Sequence, residues 1–290
     1  MATALRPDVS FRQLTTSDFG IEATGIDISK PLAPTVASAL RQAFDRHRVL
    51  VIRGQSLSPE AHIAFSRTFG ELEIHVLNEY HKAAHPEIFE LSNIGPDGKP
   101  NAVHPDRGTL FWHTDASFQA KPALATILYA EQVPSNGGHT MFADMIGAYE
   151  ALGQAERQRY LGLRVRHDLH ISRLKAGYPG MTEAQRKQAP PVVQPLVRLH
   201  EPTGRKAIYL GSHGQEFLDM DEVESRGLME RVMNHCTEPR FIYEHVWQAG
   251  DLVMWDNRAT VHRGTEYDTA IEPRVVRRTV IKGVAPIAAT

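Results

Sequence analysis

The chain has one cysteine in 290 residues, Cys236, so no internal disulfide can form, and a lone thiol suits a reducing compartment. Nowhere do eighteen apolar residues run together, which excludes a membrane-spanning helix. Charge of neither sign is in excess: 32 Lys and Arg stand against 34 Asp and Glu, a formal net charge of −2. Nothing of that kind draws a protein toward nucleic acid or an anionic membrane surface. Internal repeats and low-complexity tracts are missing as well. The start, Met1 to Ser10, has one basic residue, an early Pro7 and no apolar run, unlike a secretory signal. Together these features describe a cytoplasmic protein of one domain over residues 1–290, with room left for assembly into a homo-oligomer.

What is present is a pattern of short elements. Thr35 to Arg46 and Pro59 to Phe69 carry apolar residues at three- and four-residue spacing, which predicts two amphipathic helices, with a buried strand Val49 to Ile52 between them. From Leu110 onward β-prone runs bounded by Gly, Pro and Asn accumulate: Ala125 to Glu131, Gly162 to Asp168, Pro195 to His200, Lys206 to Leu210, Phe241 to His245, Asp251 to Trp255 and Val275 to Ile281. Helices interrupt them at Met145 to Leu152 and at Glu222 to His235, the latter capped by Asp221. Gly177 to Pro191, with Pro179, Gly180, Pro190 and Pro191, reads as a loop able to act as a lid. The expected fold is mainly β with flanking helices, a jelly roll.

In Phe111-Trp-His113-Thr-Asp115, strand geometry would project His113 and Asp115 from one face. With 15 His and 34 acidic residues, about 1.8 His-x-Asp/Glu matches arise by chance, and the sequence has three. His85-Pro86-Glu87 and His104-Pro105-Asp106 contain prolines that disfavour a central strand, so both read as loops. Only His113 and Asp115 lie in an apolar, β-like run. Iron(II) in a two-His-one-carboxylate site needs one more ligand from afar. His262 is the candidate, ending the unit Gly250-Asp-Leu-Val-Met-Trp-Asp-Asn-Arg-Ala-Thr-Val-His262. Taken alone, such a histidine is more often a hydrogen-bonded structural residue than a ligand.

The segments FWHTDASF, PSNGGHTMFADM, GDLVMWDNRATVHRG and EPRVVRRTV, in this order and spacing from about Gly20 to Gly283, together resemble the taurine dioxygenase family of iron(II)/2-oxoglutarate oxygenases. Within it, GRKAIYLGSH, FIYEHVWQAGDLVMWDNR and FADMIGAYEAL are most similar to the 2,4-dichlorophenoxyacetate dioxygenase group. The resemblance implies a double-stranded β-helix, Fe(II) held by His113, Asp115 and His262, and 2-oxoglutarate and O2 as co-substrates. It carries a co-substrate contact onto Thr140, and a pairing with the distal carboxylate onto Arg274, where a planar guanidinium suits the partner. Alternation along Arg274-Val-Val-Arg277-Arg278 puts Arg274 and Arg278 on one face, roughly 13 Å apart, with Arg277 opposite. Arg278 matches the family's second arginine, near the anionic group of a small substrate. His75 aligns with a position that touches this acid group, and His213 and Tyr209 match the chlorophenoxyacetate group. Trp255 is expected to flank the metal.

The function implied is hydroxylation of a small anionic substrate, an aryloxyalkanoate such as 2,4-dichlorophenoxyacetate, with ether cleavage to a phenol and an oxo acid and formation of succinate and CO2. The alternatives are a taurine or alkylsulfonate dioxygenase releasing sulfite, and a metal-binding jelly-roll module or zinc hydrolase. Neither member of the last pair needs a matched clamp of Thr140 and Arg274 for a dicarboxylate. Substrate choice is expected to lie in the loops from Asn78 to Gly108 and from Ile171 to Pro195.

Overall fold

The computed structural model describes residues 9–74, 81–82 and 84–290. His75 lies outside the described residues. In chain order the strands are β1 (Ser10–Gln13), β2 (Ile21–Thr24), β3 (Val49–Ile52), β4 (His81–Lys82), β5 (His85–Ser92), β6 (Ala123–Gln132), β7 (Thr140–Asp144) and β8 (Arg164–His167). They continue as β9 (Val192–Pro195), β10 (Val197–His200), β11 (Arg205–Ile208), β12 (Gly214–Phe217), β13 (Ile242–His245), β14 (Leu252–Asp256), β15 (Thr260–Gly264) and β16 (Val275–Lys282). A large sheet has the order β1-β2-β3-β14-β6-β16-β5-β4, and a smaller one runs β13-β7-β15. Apart from the parallel pair β2–β3, the strands of both are antiparallel. The two form a double-stranded β-helix, the expected jelly roll.

Alternation explains why the central strands read as unbroken apolar runs. Leu50, Ile52, Leu252 and Met254 point outward to helices α1 (Pro34–His47) and α2 (Pro59–Arg67), joining Leu40, Phe44, Ile63 and Phe65. Val49, Val51, Val253 and Trp255 point inward and meet Phe142 and Tyr243 of the small sheet. A strand covered on both sides has no polar face to show. The small sheet is backed in turn by α3 (Met145–Ala151) and, after α4 (Gln154–Leu161), α5 (Leu169–Lys175) and α6 (Glu183–Gln188), by α7 (Glu222–Cys236). Among the described residues no helix is long and apolar enough to cross a membrane.

Three local expectations are corrected. Gly177 to Pro191 is not all loop: Thr182 and Gln185 close a reciprocal capping box that starts α6. His85-Pro86-Glu87 opens β5, because Pro86 falls where the pairing with β4 shifts register and no ladder donor is needed there. The run Pro195 to His200 is two strands, since Leu196 marks the crossing from the β12-β8-β9 sheet to the β10-β11 hairpin.

Candidate functional site

Phe111 to Asp115 is not a strand. His113 forms an isolated bridge with His262 of β15, its N–H donating to the His262 carbonyl at 3.0 Å and its carbonyl accepting from the His262 N–H at 2.8 Å. The chain then turns, and Ala116 sits at φ 57°, a left-handed conformation that a non-glycine residue holds only when its surroundings fix it. That turn, not strand alternation, brings the Asp115 carboxylate beside the two rings. Ligand atoms of His113, Asp115 and His262 lie within 4.8 Å of one another. The Nε2 atoms of His113 and His262 stand 3.9 and 3.7 Å from Asp115 oxygens, too long for hydrogen bonds. Donors at roughly 2.1 Å from one shared ion stand about 3.0 Å apart at right angles, so the three side chains draw slightly closer when an ion binds between them.

Each side chain is held from behind. His113 Nδ1 pairs with the Phe111 carbonyl at 2.8 Å, which fixes the tautomer and turns the Nε2 lone pair to the gap. His262 is set by packing, with Trp255 at 4.5 Å and Phe142 stacked at 6.1 Å, while its buried Nδ1 has no partner among the described residues. Thr126 donates to Asp115 Oδ2 at 2.6 Å, and the Asp115 amide donates to Asn257 Oδ1 at 3.1 Å. Asn257 in turn donates to Thr126 and accepts from Trp255 Nε1. Burial works to raise the Asp115 carboxyl, but the Arg278 guanidinium and the hydrogen bond from Thr126 oppose it, and the group stays below the usual carboxylate range and ionised. Burial pushes His262 well below its ordinary range, with the neighbouring His113 adding to the effect. A carboxylate and neutral imidazoles are the protonation states that bind a cation.

In the small sheet Phe142 is paired with His262 and Thr140 with Gly264, so Thr140 projects from the face that carries the His262 ring, about 7 Å along the strand. Its Oγ1 accepts from Trp247 Nε1 at 3.0 Å, which leaves the hydroxyl proton free to donate elsewhere. Arg274 immediately precedes β16, its N–H donating to Asn93 Oδ1 at 2.8 Å. The residue is half-buried by surface area, yet its guanidinium lies deep enough that burial lowers its pKa, and it stacks 6.0 Å from the Tyr267 ring. Among the described residues no carboxylate pairs with it. The Gly137–Gly138 turn makes room beneath: both glycines have positive φ, and a Cβ on Gly138 would come 2.9 Å from Pro134 and 3.5 Å from Arg274.

On β16 Arg278 reaches toward the metal-facing side, with Nη1 3.6 Å from Asp115 and its guanidinium over the Phe89 ring at 4.5 Å. Arg277 faces away, over Tyr129 and against Glu131. Beside the cluster opens a cavity of about 1360 Å³ lined by His113, Asp115, Arg278, Trp112, Phe89, Phe118 and His213, among others. His213 donates or accepts at Ser172 Oγ, 2.8 Å away, and meets Phe118 edge-on; burial holds it near pKa 3, hence neutral. Tyr209 is buried against His167 with its hydroxyl unpartnered among the described residues, and it is not a wall of the cavity. Thr126, Asn257 and Trp247 were not singled out from the sequence. Only Asn257 had a local signal, the polar bend after Trp255.

A jelly roll with two histidines and one carboxylate around an open gap is the arrangement of the non-haem iron oxygenases. The chain belongs to the Taurine catabolism dioxygenase TauD, TfdA family, whose pattern it matches over residues 10–280. It is an oxidoreductase that depends on Fe(II), 2-oxoglutarate and O2. It is 37% identical over 271 residues to the alpha-ketoglutarate-dependent 2,4-dichlorophenoxyacetate dioxygenase of Cupriavidus pinatubonensis, covering 91% of this chain and 94% of that one. To the (S)-phenoxypropionate/alpha-ketoglutarate-dioxygenase of Sphingobium herbicidovorans it is 33% identical, covering 86% and 87%. The crystal structure of AAD-2 in complex with Mn(II) and N-oxalylglycine superposes with a TM-score of 0.86 at 36% identity, covering 97% of this chain and 99% of that one.

Proposed function

We propose that this enzyme hydroxylates an aryloxyalkanoate, with His113, Asp115 and His262 holding Fe(II), Thr140 and Arg274 holding 2-oxoglutarate, and Arg278 and His213, with His75, meeting the substrate. A cytoplasmic setting, where iron stays reduced, completes the reading. The observation that carries it is the pair of guanidiniums around the cluster: Arg274, without a carboxylate among the described residues, and Arg278, 3.6 Å from Asp115. Two separate cations call for two anions. The relatives' names support an aryloxy acid as the second, and the rings of Phe89, Trp112 and Phe118 suit an aryl group better than taurine.

When bound, Fe(II) supplies the centre at which 2-oxoglutarate is oxidatively decarboxylated to succinate and CO2 and one oxygen atom passes to the substrate. The chain's own groups do the positioning. Arg274 takes the distal carboxylate bidentately while Thr140, its oxygen engaged by Trp247, donates its proton to it. Arg278 aims the substrate carboxylate so that the carbon between it and the ether oxygen lies nearest the cluster. A hydroxyl added there gives a hemiacetal, which breaks to the phenol and the oxo acid.

Anaerobic titration of Fe(II) and 2-oxoglutarate into metal-free protein tests this: a weak visible charge-transfer band is expected, and its absence in folded protein overturns the assignment. Arg278→Ala is expected to raise the substrate KM roughly a hundredfold with little change in the KM for 2-oxoglutarate. Equal effects on both would refute its role. Asn257→Ala frees the turn that carries Asp115, so Mn(II) affinity measured by EPR titration is expected to fall about 10- to 100-fold, the range for a residue that orients a ligand.

A further inference from the structure

The cavity beside the cluster is larger than a single-ring acid requires. At about 1360 Å³ it exceeds the roughly 300–1,000 Å³ of ordinary small-molecule sites. None of that space belongs to the co-substrate anchors, because Thr140, Trp247 and Arg274 are not among its walls. The space is one continuous volume. Arg278, Asp115 and His113 line it at the cluster, with Phe89 under Arg278 and Phe118 against His213, and Met229 and Met233 of α7 are also among its walls.

Met229 and Met233 are four residues apart, hence on one helix face, and both are half-buried. Methionine is unbranched and soft, and such side chains line sites whose occupants are bulky or variable. Arg278 fixes the carboxylate beside the cluster. A phenoxyacetate anchored there fills only a part of so large a cavity, whereas an apolar group on the ring, directed away from the carboxylate, would occupy more of it and of its methionine-lined wall.

Resting on the dioxygenase reading above, we infer that the preferred substrates are aryloxy acids whose apolar body extends beyond one ring, reaching from Arg278 to the Met229–Met233 face of α7. Burying a further ring gives a favourable transfer free energy that a small acid cannot collect.

The test uses the full chain loaded with Fe(II) and 2-oxoglutarate and measures phenol release from phenoxyacetate, 4-phenylphenoxyacetate and 4-benzylphenoxyacetate. The expected result is a rise in kcat/KM of about tenfold or more from the first acid to the larger ones. Met233→Trp, which adds bulk to the α7 wall, is expected to reduce the ratio of large-acid to small-acid kcat/KM at least severalfold; should that variant fold poorly, Met229→Phe serves the same purpose. A series that is flat or falls with size, while phenoxyacetate is cleaved well, overturns this inference and leaves the dioxygenase reading standing. No phenol from any acid, with the charge-transfer band present, overturns the aryloxy class together with the inference. No phenol and no band removes the reading on which both rest.

Discussion

In His262→Ala protein the visible band from Fe(II) and 2-oxoglutarate does not form, and turnover falls below about one part in 10³ of wild type. The substitution removes one of three donors and leaves the main chain alone. Residue 262 still exchanges both backbone hydrogen bonds with His113, and Asp115 keeps its bond from Thr126. What remains beside Trp255 and Phe142 is a small void, which lowers stability by about 1–3 kcal/mol without preventing folding. The second readout is thermal. Wild-type protein gains about 2.7 kcal/mol when Mn(II) is supplied at a hundred times its Kd, and the variant gains almost nothing. A variant that kept the band would remove His262 from the ligand set.

Arg274→Ala is expected to raise the KM for 2-oxoglutarate roughly a hundredfold, or about 2.7 kcal/mol, within the range for truncating one partner of a sequestered charge pair. Arg274→Lys restores charge but not the planar fork, so it recovers only part of the loss. The folding stability should move the other way. Without co-substrate the guanidinium is desolvated and faces no carboxylate among the described residues, so its removal is neutral or stabilising in the ligand-free protein. Thermal melts with and without 2-oxoglutarate separate the two effects. A large loss of stability in the ligand-free variant, with an unchanged KM, would make Arg274 a structural residue instead.

How much of this was legible in the sequence depends on how locally each feature is encoded. Val49 to Ile52 announces a strand covered on both sides, and that is what it is. Asp221 before α7 is visible as a cap because its partners, the amides of Val223 and Glu224, are two and three residues away. Spacing singled out His113 and Asp115, and the family resemblance added His262, though the geometry that brings them together was not legible: a strand was expected where a pinned turn occurs. The pins, Asn257 to Asp115 and Thr126 to Asn257, join residues 142 and 131 positions apart, and no short window contains both members. Trp247 and Thr140, 107 apart, escaped for the same reason. The missed helix α6 is different, since its Thr182–Gln185 capping box was present in the sequence and was masked by the prolines around it.

The reciprocal hydrogen bonds between His113 and His262 also bear on how the metal comes and goes. Residues 149 positions apart are already stitched together by main chain, so the entropy of closing that loop falls on folding and not on loading. Iron is then a replaceable part, not a fastener. Chelation should strip it and added metal restore it at the pace of diffusion and ligand exchange, with the backbone amides of both histidines staying protected from hydrogen exchange throughout. An enzyme that oxidises or loses its iron between turnovers can be reloaded in place, without being made anew.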